Sequence, residues 1–180
     1  MSLHSLLSVT IGVPNVGETA AYYADFGLTP ADDGWFSTAD AGRQLRLLPS
    51  PVRRLLELRV GADDADDLAR ATAGLAALGV PSEQSGTSLS TSEPVTGTRV
   101  VLDVAPRTRQ GAIPATPYNG PGRLDRPDTR APGFTRPDRV RPRKLGHAVL
   151  GSTDYAASTA FCTRAGGPSV HRSAGDDGLR

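Results

Sequence analysis

One cysteine, Cys162, in 180 residues leaves no room for an internal disulfide framework. A chain that folds without disulfides suits a reducing compartment, and the cytoplasm is the expected location. No apolar run approaches the roughly 18 residues that a membrane-spanning helix needs, so no membrane partner is expected. The N-terminus, Met1-Ser2-Leu3-His4, lacks the basic opening and small-residue cleavage pattern of a secretory leader. Aromatics are only 5% of the chain, and lysine occurs once, as Lys144. The arginine-rich, alanine-rich composition fits GC-rich coding, so the arginine count by itself is not read as a functional signal. Walker loops, dinucleotide glycine fingerprints, zinc-ligand spacings and nucleophile elbows are all missing, which removes the enzyme classes built on them.

What is present is unevenly distributed. The net charge of +1 conceals 7 basic and 13 acidic residues in 1–106, against 10 basic and 3 acidic in 107–144. Apolar content is modest, yet Leu, Val and Ala come in periodic blocks, which predicts a folded part beside an extended one.

Leu3 to Val13 reads as a strand, stopped by Pro14. Asn15 followed by Glu18 is a capping-box pattern for a helix over Val16–Phe26. That helix puts Ala20, Tyr23 and Phe26 on one face, expected to be core, and Gly27 suits its C-terminal stop. Short strands are predicted over Leu28–Ala31, Gly34–Ala39 and Arg43–Leu48, separated by Asp/Gly turns. The same order then returns. Arg53–Gly61 alternates as a half-buried strand, and Asp63 or Asp64 caps a helix through Leu68, Leu75 and Leu78 that ends at Gly79. Weak strands over Val80–Ser85 and Ser88–Thr91 and a clear one over Arg99–Val104 follow. The acidic cluster Asp63–Asp67 is a dipole-favoured helix start, not a metal cluster. Two β-α-β-β-β units at a period of about fifty residues are the most informative fact in the sequence.

Periodicity vanishes from Pro106 to Pro142, where prolines recur among Arg, Gly, Asp and Thr; such a stretch cannot hold a ladder or a helix and reads as a connector. It lacks the interleaved aromatics of a nucleic-acid surface, so no nucleic-acid partner is expected. Regularity resumes with a strand over Leu145–Leu150, a cap at Ser152 or Thr153, and a helix over Asp154–Thr163. After Phe161 the pattern fails. The expected organisation is therefore an α+β chain with paired modules in 1–106, a linker over 107–142, and in 143–180 the start of a second paired-module domain, begun and not completed. A shifted reading frame near Phe161 would account for that break.

The segment from Leu145 to Phe161 has a His on the strand, Ser158 eleven residues on, and an aromatic three beyond it. The first module matches it in outline, with Thr19 at the Ser position and Tyr22-Tyr23 at the aromatics. In these features the chain resembles the vicinal oxygen chelate superfamily of glyoxalases, bleomycin-resistance proteins and type I extradiol dioxygenases, most of all the two-domain dioxygenases. The resemblance covers 1–106 and 143–161. It implies paired βαβββ modules, a metal-free first pair, and a second pair that holds Fe(II) or Mn(II) on two His and one Glu for opening a catecholic ring with O₂. Residue by residue, His147 falls on the first metal-ligand position. The matching positions in the first two modules are Ser8 and Leu55, with Val100 and Val101 where the Glu would stand, so no metal is expected there. Glu93-Pro94-Val95-Thr96-Gly97 is similar to the family's turn before the last strand.

One imidazole cannot hold iron, and His171 sits in a Gly/Ser/Asp stretch with no strand around it. The resemblance thus implies a metal-dependent dioxygenase, while the chain as it stands is expected to bind no metal, to turn nothing over, and to leave 146–180 poorly ordered or loosely docked. The alternatives are an inactive fragment, or a small-molecule binding module of the bleomycin-resistance type. A small aromatic, catecholic partner follows from the resemblance, and self-association is left open. Cys162, in a stretch without pattern, is not expected to be a catalytic thiol.

Overall fold

A computed structural model describes residues 3–112, 119, 121, 122, 124, 125, 128 and 141–165. His171 and most of the Pro/Arg-rich connector lie outside the described residues.

The chain opens with β1 (Leu3–Val13), whose Leu/Val/Ile content supplies the branched side chains that a pleated, half-buried strand favours. Helix α1 (Val16–Asp25) starts where expected: the Asn15 side chain accepts from the Glu18 N–H at 3.0 Å, and its amide nitrogen donates to the Glu18 carboxylate at 3.1 Å. Gly27, at φ 104°, turns the chain out of the helix. Three strands follow: β2 (Thr29–Pro30), β3 (Trp35–Thr38) and β4 (Gly42–Pro49). The tight turn before β3 needs Gly34, which combines φ 75° with a backbone so close to the Leu47 carbonyl that a Cβ would collide with it.

The second copy has β5 (Arg54–Ala62), α2 (Ala65–Ala77), β6 (Ser82–Ser85), β7 (Ser88–Ser92) and β8 (Arg99–Val104). Asp64, not Asp63, caps α2, accepting from the Asp67 N–H at 2.9 Å. All eight strands form one sheet in the order β2-β3-β4-β1-β5-β8-β7-β6. Each module contributes a parallel pair, β1 with β4 and β5 with β8, and the modules join through antiparallel β1 and β5. The order reads the same outward from that central pair, as a duplicated βαβββ unit requires. This is an α+β architecture of paired modules.

The helix-covered face of the sheet carries two apolar clusters. Val9, Leu45 and Leu47 lie in one apolar cluster with Leu28 and Phe36, against α1. Val60, Ala62, Val100, Leu102 and Leu89 meet Leu68, Ala71 and Leu75 of α2 in a second cluster. The expected α1 stripe is only half realised. Ala20 and Tyr23 pack on the first cluster, but Phe26 is 56% and Tyr22 61% exposed, stacked on each other at 6.3 Å.

The third segment differs from expectation twice. Residues 145–150 run without a ladder partner among the described residues, so the strand predicted there is absent. The helix α3 (Tyr155–Arg164) does form, capped by Asp154 and not by Ser152 or Thr153. It does not dock loosely: Phe161 and Ala165 are buried in the α2 cluster. The α2 helix leaves one apolar flank open beside Leu68 and Leu75, and α3 closes it.

Candidate functional site

Strand alternation places Ser8 and Thr10 of β1 on the face of the sheet away from α1 and α2. Register then sets Arg59 of β5 beside Ser8, and Val101 of β8 beside Arg59. This row crosses the strands on which the resemblance puts metal ligands. Leu55, the expected counterpart of Ser8, pairs with Ile11 and packs in the α1 cluster instead. One register shift in the β1–β5 ladder, between Thr10 and Ile11, lies between the pairs that hold Ser8 and Leu55. Val100 likewise belongs to the α2 cluster, and only Val101 shares the row with Ser8.

The row is filled with ion pairs. Two guanidinium nitrogens of Arg59 contact one Asp103 oxygen at 2.9 and 2.8 Å, and a third lies 3.7 Å from Glu57. Arg99 meets the other Glu57 oxygen at 3.6 Å, and the Ser88 hydroxyl donates to the second Asp103 oxygen. A fixed cation stands where a divalent metal would need imidazole or carboxylate. The residues of this face do not fit a metal centre. Among the described residues, no group of three or more His, Cys, Asp or Glu is arranged to hold one.

His147 lies elsewhere. It is exposed, on the extended 145–150 stretch, at the border of a cleft of about 460 Å³ over the helix-facing side of the first module. The structure does not bring His147 together with Ser8 or with Arg59's row. The cleft floor is Val9, Leu28 and Leu45; its wall is the segment 142–149. That wall is anchored. The Ala39 and Asp40 N–H groups each donate at 2.9 Å, to the Pro142 and Arg143 carbonyls, and Arg143 pairs with the Asp40 carboxylate at 2.5 Å. Buried Gln44 accepts from the Leu145 N–H at 2.6 Å and donates to the Leu6 carbonyl at 2.9 Å.

Glu93 is a polar centre that sequence reading did not single out by function. Only 1% exposed, it follows β7 and accepts from the Val95 N–H at 3.1 Å, the Thr96 N–H at 2.5 Å, the Thr96 hydroxyl at 2.7 Å and the Ser158 hydroxyl at 2.6 Å. Burial pushes its carboxyl up, but the Ser158, Thr96 and Val95 hydrogen bonds outweigh that and leave it below the ordinary carboxylate range. The signal was the turn sequence Glu93-Pro94-Val95-Thr96-Gly97. Burial and the Glu93 charge both raise the Cys162 thiol, so it is not an activated nucleophile.

No family model matches the chain, and no curated protein matches its sequence. Solved structures do match. A catechol 2,3-dioxygenase aligns over 92% of this chain at 16% identity and TM-score 0.63, and BphC, a halotolerant catechol dioxygenase, over 59% at 16% identity and TM-score 0.51. A Mn(II)-bound glyoxalase from Novosphingobium aromaticivorans aligns over 62% of this chain and 43% of its own length, at 21% identity and TM-score 0.48. This chain spans 59% of the length of the first and 41% of the second. At such identities the likeness is one of fold: the chain has the vicinal oxygen chelate fold.

Proposed function

We propose that residues 1–106 serve as the metal-free paired-module part of an extradiol ring-cleavage dioxygenase-type protein. The observation that carries this reading is Arg59, held by Asp103 and Glu57 in the row between Ser8 and Val101. A module pair whose ligand row is closed by a salt-bridged guanidinium contributes a scaffold, not a reaction centre. The alignment with catechol 2,3-dioxygenase over most of the chain supports the choice of family activity. In this reading the paired-module unit is 1–106, residues 107–142 link it to the next, and 143–180 opens a second such unit. His147 is that unit's first ligand for Fe(II) or Mn(II). The metal, the catecholic substrate and O₂ chemistry all require ligands that the described residues do not assemble.

The test is anaerobic loading with Fe(II), followed by catechol and air. Oxygen uptake should not exceed that of free Fe(II) with catechol, and metal should wash out on gel filtration. Stoichiometric metal that is lost on His147→Ala, together with ring-opened product, would show that this chain carries the centre itself. The assignment to ring cleavage has its own test in the coding sequence: if no reading frame after Phe161 encodes a His-bearing strand and a closing Glu, it fails.

A further inference from the structure

The cleft over Val9 and Leu45 differs from the Arg59 row in how its charges are compensated. On the row, each arginine faces a carboxylate. Arg53, Arg54, Lys144 and His147 border the cleft, and among the described residues none that lines it is Asp or Glu, although the chain holds 19 acidic residues beside its 20 basic ones. The Arg53 guanidinium donates to the Tyr23 hydroxyl at 3.3 Å, and the Arg54 guanidinium to the Thr96 carbonyl at 3.0 Å. Both acceptors are neutral, and among the described residues neither arginine pairs with a carboxylate.

We propose that this cleft binds a small, ring-bearing monocarboxylate. Its apolar body lies against Val9, Leu45 and Leu55, and its carboxylate meets Arg53, Arg54 and Lys144. The volume of about 460 Å³ falls among small-molecule sites, which span roughly 300–1,000 Å³ and combine an apolar lining with a few convergent polar groups. A ring is favoured over a chain because Tyr23 and Phe26 stand at the cleft and offer aromatic surface to a flat partner. A carboxylate is favoured because arginine presents paired N–H donors that match it. The start of the wall, Pro142 to Leu145, is held by the Ala39, Asp40 and Gln44 contacts, so binding need not order that part of it. The site lies on the opposite side of the sheet from the Arg59 row and uses no metal. It is therefore independent of the ring-cleavage reading.

The test is calorimetric titration of the full chain with 2-naphthoate and with its uncharged counterpart, naphthalene-2-carboxamide, in metal-free buffer. Naphthoate should bind one per chain, more weakly as salt rises, and at least fivefold more tightly than the carboxamide. Lys144→Glu and Arg54→Glu should each weaken naphthoate about fivefold, the upper range for one exposed charge contact, and leave the carboxamide within about twofold. Leu55→Trp, which fills the floor, should abolish both. Because a floor variant can also misfold, amide chemical shifts of the unaltered protein give a second readout: naphthoate should move residues 142–149 and leave Arg59, Asp103 and Ser88 in place. Equal affinity for the two probes, absence of saturation, or shifts centred on the Arg59 row would each overturn the proposal. Since no metal is added, none of these results bears on ring cleavage.

Discussion

The Ser158 hydroxyl donates to Glu93 across a gap of 65 residues, at 2.6 Å and out of contact with water, and so ties α3 to the turn before β8. The same hydroxyl lies 2.7 Å from that of Ser152, just ahead of the helix. A charged acceptor in a buried place makes this bond worth more than a neutral one, about 1.5–3 kcal/mol. Ser158→Ala should lower unfolding stability by that amount in urea titration. Glu93→Gln should cost at least as much, because its amide nitrogen would face N–H donors. Losses below about 0.5 kcal/mol for both variants would mean that α3 is held by Phe161 alone.

Glu93 also sets an acid limit. Its carboxyl lies below the ordinary range in the folded protein, so the folded state favours the ionised form. The stabilisation is fully present above the unfolded value, about 4.3, and is lost as pH falls through the depressed folded value. The stability gap between the native protein and Glu93→Gln should therefore be constant near neutrality and shrink on acidification below about pH 4. In Ser158→Ala one of the lowering hydrogen bonds is gone, so the loss should be smaller and should be complete at a higher pH. A gap that stays level down to pH 3 would contradict this assignment.

Gly74 is where α3 and α2 touch backbone to backbone: a Cβ there would overlap the Arg164 carbonyl. On an isolated helix, Gly→Ala gains up to about 1 kcal/mol. Here the methyl group must push α3 off α2, and overpacking of this kind costs roughly 1–3 kcal/mol. Gly74→Ala should speed amide exchange across Tyr155–Arg164 and leave β1 and β5 protected. Unchanged exchange in α3 would show that the helix sits elsewhere in solution.

The Cys162 thiol, raised by burial and then by Glu93, should react with iodoacetamide at pH 7.5 several times more slowly than an unstructured cysteine. Glu93→Gln removes the second cause and should speed alkylation. A rate equal to that of a free thiol in the native protein would argue against this burial.

The order of elements was legible in the sequence because its signals are local. Asn15 with Glu18, Asp64 before its helix, the Asp/Gly turns and the alternation in Arg99–Val104 each act within a few residues of themselves. Duplication did the rest, since two modules with the same order pair through their first strands. The folded extent of β2 was not legible: Leu28 turned into the α1 cluster and left Thr29 and Pro30 alone on the ladder.

What the tertiary structure alone decided are matters of long-range register and partnership. The register shift between Thr10 and Ile11 in the β1–β5 ladder puts Arg59, and not Leu58, opposite Ser8, and no local pattern encodes a shift that depends on two strands together. Leu145–Leu150 has a strand's composition, but a strand needs an edge to pair with, and this stretch borders the cleft instead, with the Leu145 N–H donating to the Gln44 side chain. Phe26 keeps an apolar side chain in the open because α1 covers the sheet with its other flank. Glu93 and Ser158 are unremarkable where they stand in the chain, and burial against each other gives both their role.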